Sequence, residues 1–143
     1  MKFSAPAVVL FFLLALPLAA KDKYCFENAG LKSKETVRFS VEANRITGGS
    51  YTSADYEDET KVRAVRFTGT KTGTVLTIKF KGKVPYSAPK GSDPIMWRLD
   101  KKGLSIPMHG KNHETGKYSD YNAPFEKCQP RIAQGLSSSS SSS

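Results

Sequence analysis

The sequence predicts an all-β domain, an antiparallel meander of about seven or eight short strands closed as a small barrel or folded as a sandwich. Apolar and polar side chains alternate along most of the chain, which is the period of strands that bury one face. Short polar turns separate these segments, and no long stretch carries a helical period. Closing the meander would also remove its exposed strand edges.

The first predicted hairpin begins with alternating apolar residues. Val37, Phe39 and Val41 fall on one face of a strand that ends in a turn near Asn44. The returning strand covers 46–53, where two consecutive glycines loosen the pattern. An acidic loop follows.

The clearest strand of the chain covers 74–81. Leu76, Ile78 and Phe80 share one of its faces, and polar residues occupy the other. A strand over 62–69 precedes it, so the two form a second predicted hairpin. The segment after it is a long, proline-rich loop rather than a tight turn.

The C-terminal part of the domain continues the alternation. Ile95, Trp97 and Leu99 are predicted to point inward, and a further strand begins at Leu104. A last short strand over 123–128 returns the chain toward its N-terminal end. The four aromatic residues at inward positions are predicted to be core rather than an exposed nucleic-acid surface: Phe39, Phe67, Phe80 and Trp97.

Residues 1–20 are predicted to be a cleaved secretory signal peptide. Lys2 gives the positive start, residues 7–16 are an unbroken apolar run, and small residues precede Lys21. This run is too short to cross a bilayer, which needs roughly 20 apolar residues, so no transmembrane segment is expected after cleavage. Four residues separate the small residues from Cys25, which argues against a lipoprotein. The sequence therefore predicts a secreted or periplasmic product.

The mature chain is predicted to hold one domain, residues 21–130, followed by a serine-rich tail, residues 131–143, with no capacity to bury apolar surface. It carries 21 Lys and Arg against 13 Asp and Glu, a net charge of +8. Such a charge favours acidic partners, although a solvated lysine-rich surface is the stronger explanation. The lysines form no long run.

Cys25 and Cys128 are the only cysteines and lie near the two ends of the predicted domain. In an oxidising compartment they most simply pair. The alternative is two free thiols. Neither has a neighbouring histidine or a C-x-x-C partner, so redox and metal chemistry are disfavoured.

The strand and turn rhythm over 37–106 resembles small secreted bacterial β-barrels of the lipocalin-like or avidin-like kind. Four short motifs in order carry the resemblance: G-x-Y at 49–51, F-x-G at 67–69, G-x-x-L-T-I-x-F at 73–80 and I-x-W-x-L at 95–99. The segment 106–128 is similar to uncharacterised secreted bacterial families. The resemblance implies a compartment and a fold, and it implies no activity.

Both histidines of the chain lie in a polar segment expected to be a loop. His109, His113, Glu114 and Asp120 form the best candidate set for a hydrolytic or metal-dependent enzyme. The order H-x-x-x-H-E differs from the metalloprotease order H-E-x-x-H, in which the glutamate lies between the ligands. We therefore predict no metal site, no cofactor and no catalytic residues.

Aromatic residues in or beside the predicted loops are the better indication of function, because amphipathic rings bind sugars, peptides and protein surfaces. The alternative is that each ring caps one end of the barrel. The predicted ligand-binding residues are Tyr51, Tyr86, Trp97, His109, His113, Tyr118 and Tyr121.

These observations favour a non-enzymatic binding domain that uses the loops at one end of a β-barrel. Its expected partner is a small ligand, a polysaccharide or an envelope protein, with no specific nucleic acid. Two alternatives stay open at this point. One is an enzyme with a site around His109 and Asp120, and the other is a basic structural protein that associates with the cell envelope.

Overall fold

The computed structural model describes residues 20–58 and 60–130, and these form a closed barrel of eight antiparallel strands in sequence order. The prediction of an all-β meander is confirmed, with a barrel rather than a sandwich. The strands are β1 (Asp22–Ala29), β2 (Ser33–Glu42), β3 (Arg45–Asp55), β4 (Val62–Thr72), β5 (Val75–Phe80), β6 (Ile95–Leu99), β7 (Leu104–Lys111) and β8 (Tyr118–Lys127). The predicted signal segment, up to residue 19, and the serine-rich tail from residue 131 lie outside the described residues.

The first and last strands close the barrel through a short pairing. Phe26 lies opposite Lys127, and Glu27 lies opposite Glu126. The predicted disulfide is confirmed beside this seam, where the Cα atoms of Cys25 and Cys128 are 5.4 Å apart. The backbone N–H of Cys128 also donates to the carbonyl of Cys25 at 3.0 Å. A disulfide is compatible with an extracellular or periplasmic location.

Alternate residues of every strand point into the barrel and form one apolar core. The largest fully buried side chains include Trp97, Tyr51, Phe26, Phe67 and Phe125, and none of the buried residues in the described chain is charged. The inward orientation predicted for the aromatic strand residues is confirmed. The hydroxyl of Tyr51 and the indole N–H of Trp97 are polar groups that this core must accommodate.

Two parts of the strand pattern differ from the sequence prediction. The segment 22–29 is a full strand, β1, where only a return of the chain toward Tyr24 and Cys25 is predicted. The segment around His109, predicted as a loop, instead forms the long β7–β8 hairpin, in which Leu104 pairs with Phe125 and Lys111 pairs with Tyr118. Polar side chains dominate the outer face of this hairpin and its far end, so the alternation that identifies a half-buried strand is lost there.

The up-and-down order places the connections at two ends of the barrel. The tight turns after β2, β4 and β6 lie at the end that also holds both chain termini. The connections after β1, β3, β5 and β7 lie at the opposite end, which we call the loop end. The connection after β5 is the longest, covering 81–94.

No helix long and apolar enough to cross a membrane occurs in residues 20–58 and 60–130.

Candidate functional site

Aromatic rings fill the middle of the barrel. Phe67 contacts Trp97 at a centroid distance of 5.1 Å and Phe80 at 5.6 Å, in edge-to-face geometry. Tyr51 continues this cluster through Tyr86 at 5.5 Å. The interior of an eight-stranded barrel either is filled by side chains or holds one small ligand, and here buried aromatic side chains occupy it. A ligand must therefore bind at an end or on the outer wall.

Tyr51 forms the polar boundary between the core and the loop end. Its ring is fully buried, and its hydroxyl donates to Oε2 of Glu35 at 2.6 Å. Burial raises the pKa of Tyr51 far above its ordinary value, and the hydrogen bond to Glu35 and the carboxylate charge raise it further. The phenol is thus held neutral as a hydrogen-bond donor, which satisfies a group that would otherwise be costly to bury.

The connection 81–94 folds across the loop end and places Tyr86 over the core. It begins with the Lys81 N–H bonded to the Arg66 carbonyl at 2.8 Å. Farther along, the Ser87 carbonyl accepts from the N–H of His109 at 2.8 Å, so the connection is attached to β4 and β7. Between these points, the Tyr86 hydroxyl accepts a 2.9 Å hydrogen bond from the indole N–H of Trp97.

We expect the protein to lose stability above about pH 10, where an unfolded tyrosine ionises. Burial raises the pKa values of Tyr51 and Tyr86 in the folded state, so the folded protein keeps these protons while the unfolded chain releases them. Their contribution is complete below about pH 10 and is lost as the pH rises. For fully buried Tyr51 the loss approaches about 1.4 kcal/mol per pH unit.

Measuring tyrosinate absorbance and circular dichroism as the pH is raised tests this prediction. Part of the absorbance change of the six tyrosines is expected to coincide with unfolding rather than to precede it. The Tyr51→Phe variant should show a smaller coincident step. Complete ionisation of all tyrosines while the barrel stays folded would contradict the assignment.

An open groove of about 480 Å³ lies at the loop end, between the paired ends of β3 and β4 and the connection 81–94. One wall comes from inward positions of the two strands, and the other comes from the connection. The lining residues are Ser53, Arg63, Val65, Lys83, Val84, Pro85, Tyr86 and Ser87. The groove combines an apolar strip with hydroxyl groups and two cations.

The charge of the groove is positive. Arg63 and Lys83 are both exposed, and no lining residue of the groove is acidic. Only two acid–base pairs in the described part of the chain lie within 4.0 Å, Lys34 with Glu27 and His109 with Asp120, so neither cation of the groove is neutralised in this way. Val65 and Pro85 supply apolar surface between them. The groove is suited to a ligand with an anionic group and a short apolar body.

The β7–β8 hairpin carries a second group of predicted residues on its outer face. The Nδ1 atom of His109 lies 2.8 Å from Oδ1 of Asp120, its cross-strand partner. The ring of Tyr118 stacks on His109 with centroids 6.0 Å apart. The side chains of His109 and Asp120 are 41% and 65% exposed, and a contact so exposed stabilises a fold by less than about 1 kcal/mol.

The candidate enzyme set is only partly assembled. His109 and Asp120 meet, whereas His113 and Glu114 lie in the connection after β7, which turns around Asn112. There the Asn112 side chain accepts from the N–H of Glu114 at 2.8 Å. Among residues 20–58 and 60–130, no three His, Cys, Asp or Glu side chains are grouped so as to hold a metal ion.

The structure separates the predicted ligand-binding residues into two groups. Tyr51, Tyr86 and Trp97 belong to the interior and the loop end, while His109 and Tyr118 lie on the outer face of the hairpin, and His113 lies in its connection. Tyr121 lies on the inward side near the loop end, where its hydroxyl contacts the sulfur of Met108 at 3.7 Å. Tyr51 was expected beside a loop, but it lies within β3 and is fully buried, so its side chain is not open to a ligand.

A second open depression, of about 500 Å³, lies on the outer wall where β6 and β7 separate after a short pairing. Its lining includes Met96, Arg98, Asp100 and Asn122. Arg98 and Asp100 carry opposite charges, so this depression has no single sign of charge. The loop-end groove differs in that its charged residues are all cationic and its phenol is held by a buried indole.

Sequence reasoning missed Arg63, Lys83 and Glu35. A usable signal exists for Arg63. It is the second residue of β4, and it shares the inward parity of Val65 and Phe67. A cation at an inward position near a strand end indicates the mouth of a barrel rather than its core. Lys83 carries no such signal, since its place depends on the path of a long connection.

We found no family model, no curated protein and no solved structure that matches this chain. The resemblance to lipocalin-like and avidin-like barrels stays a prediction, and what the structure itself establishes is a closed, filled, eight-stranded barrel with a basic groove at its loop end.

Proposed function

We propose that this protein is a secreted or periplasmic, non-enzymatic binding domain that holds a small ligand in the loop-end groove. The observation that supports it most strongly is the convergence of Arg63, Lys83 and Tyr86 on one open groove above a filled barrel. The apolar run at 7–16 and the disulfide support export.

The filled core favours the groove over an internal cavity. Trp97 and Phe67 occupy the volume in which other eight-stranded barrels enclose a small ligand, and both are almost completely buried. The loop-end groove is bounded by rigid strand ends on one side. On the other side, Tyr86 is fixed by its hydrogen bond to Trp97. Such preorganised walls reduce the ordering cost of binding.

The lining suggests the chemistry of the ligand. A carboxylate, sulfate or phosphate would take charge-assisted hydrogen bonds from Arg63 and Lys83. A short apolar or aromatic body would lie along Val65, Val84 and Pro85. We therefore expect small amphipathic anions to bind better than neutral molecules of the same shape.

The test uses 3-phenylpropionate as a probe, with its neutral amide as the matched comparison. An anion of about ten non-hydrogen atoms at about 0.3 kcal/mol per atom binds with a Kd of the order of 10 mM, which NMR titration measures. We expect the paired substitution R63Q and K83Q to weaken binding of the anion about tenfold, since two exposed charged contacts contribute about 1 to 2 kcal/mol together.

A control variant removes the same charge elsewhere. Lys101 and Lys102 lie in the turn after β6, at the opposite end of the barrel. Substituting both with glutamine should leave the affinity for the anion unchanged. Equal weakening by the two double variants, or equal affinity for the anion and the amide, would count against the proposed site.

A further inference from the structure

The outer wall of β1–β5 carries a second cationic surface, separate from the groove, and we propose that it docks a linear acidic polysaccharide. We call this surface the basic band. It consists of five exposed side chains on strands β1, β2, β4 and β5 and directly after β5: Lys23, Arg38, Arg66, Lys79 and Lys81.

Strand register aligns these residues in two neighbouring rows across the barrel wall. In the first row Arg38 lies opposite Ser50, Ser50 lies opposite Arg66, and the N–H of Lys81 bonds to the carbonyl of Arg66. In the second row Lys23 lies opposite Ser40, and Thr68 lies opposite Lys79. With neighbouring strands about 4.8 Å apart, the band extends for roughly 19 Å around the wall.

The two rows contain cations and hydroxyl groups and no carboxylate. Ser40, Thr47, Ser50 and Thr68 occupy the positions between the charges. None of the five cations takes part in the two acid–base pairs found within the described residues. Guanidinium and ammonium groups beside hydroxyls match sulfate and carboxylate groups on a sugar chain.

A depression at the β1–β3 end of the band brings two of its cations, Lys23 and Arg38, to one opening. The register of β2 and β3 shifts between Arg38 and Ser40, because β3 contains an extra residue there. Gly48 adopts φ +61° at this bulge, and a Cβ atom on it would meet nothing within 4 Å. The resulting depression of about 280 Å³ is lined by Lys23, Arg38, Ser40 and Gly48, together with Tyr24, Cys25 and Phe39.

The shape of the band favours a flexible chain over a flat surface. It runs along five consecutive strands of an eight-stranded barrel, which is about half of the circumference. A membrane plane meets only the strands that face it, whereas a linear polyanion can follow the curve. The outward positions of β1–β5 carry no aromatic side chain, whereas proteins that bind single-stranded nucleic acids combine a cationic groove with aromatic rings on which the bases stack.

Heparin, a linear sulfated polysaccharide, is the probe for this proposal. Binding of the full-length protein is measured by calorimetry as salt is raised, because each neutralised anionic site adds to the salt dependence of the binding constant. We expect the paired substitution R38Q and R66Q to weaken heparin binding at least tenfold at low salt and to reduce the slope of log K against log salt by about two.

The control is again the double substitution of Lys101 and Lys102 with glutamine, which removes the same net charge outside the band. It should change the heparin affinity less than twofold. Both substituted pairs are exposed and lie away from the core, so circular dichroism is expected to show unchanged folding. Equal losses in both double variants, or no binding of heparin by the unaltered protein, would overturn the proposal.

Two further probes decide the occupant. Vesicles containing anionic phosphatidylglycerol and a single-stranded oligothymidylate are titrated under the same conditions. When binding constants are expressed per anionic group, heparin is expected to bind at least tenfold more tightly than the vesicles or the oligothymidylate. If vesicles or the oligonucleotide bind as tightly as heparin and depend equally on Arg38 and Arg66, the assignment to a polysaccharide is wrong.

Discussion

Reduction of the Cys25–Cys128 disulfide is expected to lower the free energy of unfolding by up to about 4 to 5 kcal/mol. The two cysteines are separated by 103 residues, so the bridge constrains nearly the whole domain in the unfolded state. It also lies beside the short β1–β8 pairing, where Phe26 and Glu27 face β8. Without the bridge, the seam that closes the barrel depends on this pairing and on the packing beneath it.

Urea unfolding with and without a reductant measures this effect directly. The variant C25S and C128S should unfold at the same urea concentration as the reduced protein, which separates loss of the bridge from side effects of the reductant. An unchanged midpoint in both cases would show that the bridge contributes nothing to stability.

Replacement of Trp97 with alanine is expected to destabilise the barrel by about 3 to 5 kcal/mol. The indole is 1% exposed and packs against Phe67 and Phe80. Its removal leaves a cavity in the most densely aromatic part of the core and also removes the donor to the Tyr86 hydroxyl. The connection 81–94 is therefore expected to loosen.

Chemical unfolding measures the loss, and Trp97→Phe is the matched control. Phenylalanine keeps most of the apolar contact but cannot donate to Tyr86, so its cost should be well below that of alanine. Trp97 is also the sole tryptophan, and its emission in the unaltered protein should be that of a buried indole until unfolding. A destabilisation by alanine below about 1 kcal/mol would contradict its place in the core.

Much of the fold could be predicted from local alternation. Val37, Phe39 and Val41, and likewise Leu76 and Ile78, mark strands whose inner faces are buried. In such segments the polarity of each residue indicates which face of the sheet it occupies. The same alternation therefore predicts both the strand and the side chains that point inward.

The pattern fails where neither face of a strand is strongly apolar. On β8, Tyr118, Asp120 and Asn122 all lie outside the core, and only Ala123 and Phe125 are buried. Cross-strand pairing with β7 holds these residues in a strand, and pairing between distant segments has no local signature. For the same reason β1 is not predicted as a strand, and the sequence predicts only that the last strand returns toward Tyr24 and Cys25.

The sequence predicts a binding region at the loops of one barrel end and names Tyr86 and Trp97 among its residues, but it does not predict the groove. The contribution of Arg63 and Lys83 depends on how β4 and the connection 81–94 come together in space. The two residues are far apart in the sequence, so only the tertiary structure shows that they line one groove.

Residue-resolved NMR mapping of 3-phenylpropionate tests the proposed function most directly. Amide shifts are expected to concentrate at Ser53, at residues 63–65 and at residues 83–87, and to require about tenfold more probe in the R63Q and K83Q double variant, because the two lost charged contacts contribute about 1 to 2 kcal/mol. Shifts concentrated instead at the outer wall near Met96 and Arg98, or no shifts at the loop end at saturating probe, would contradict a binding site in the groove.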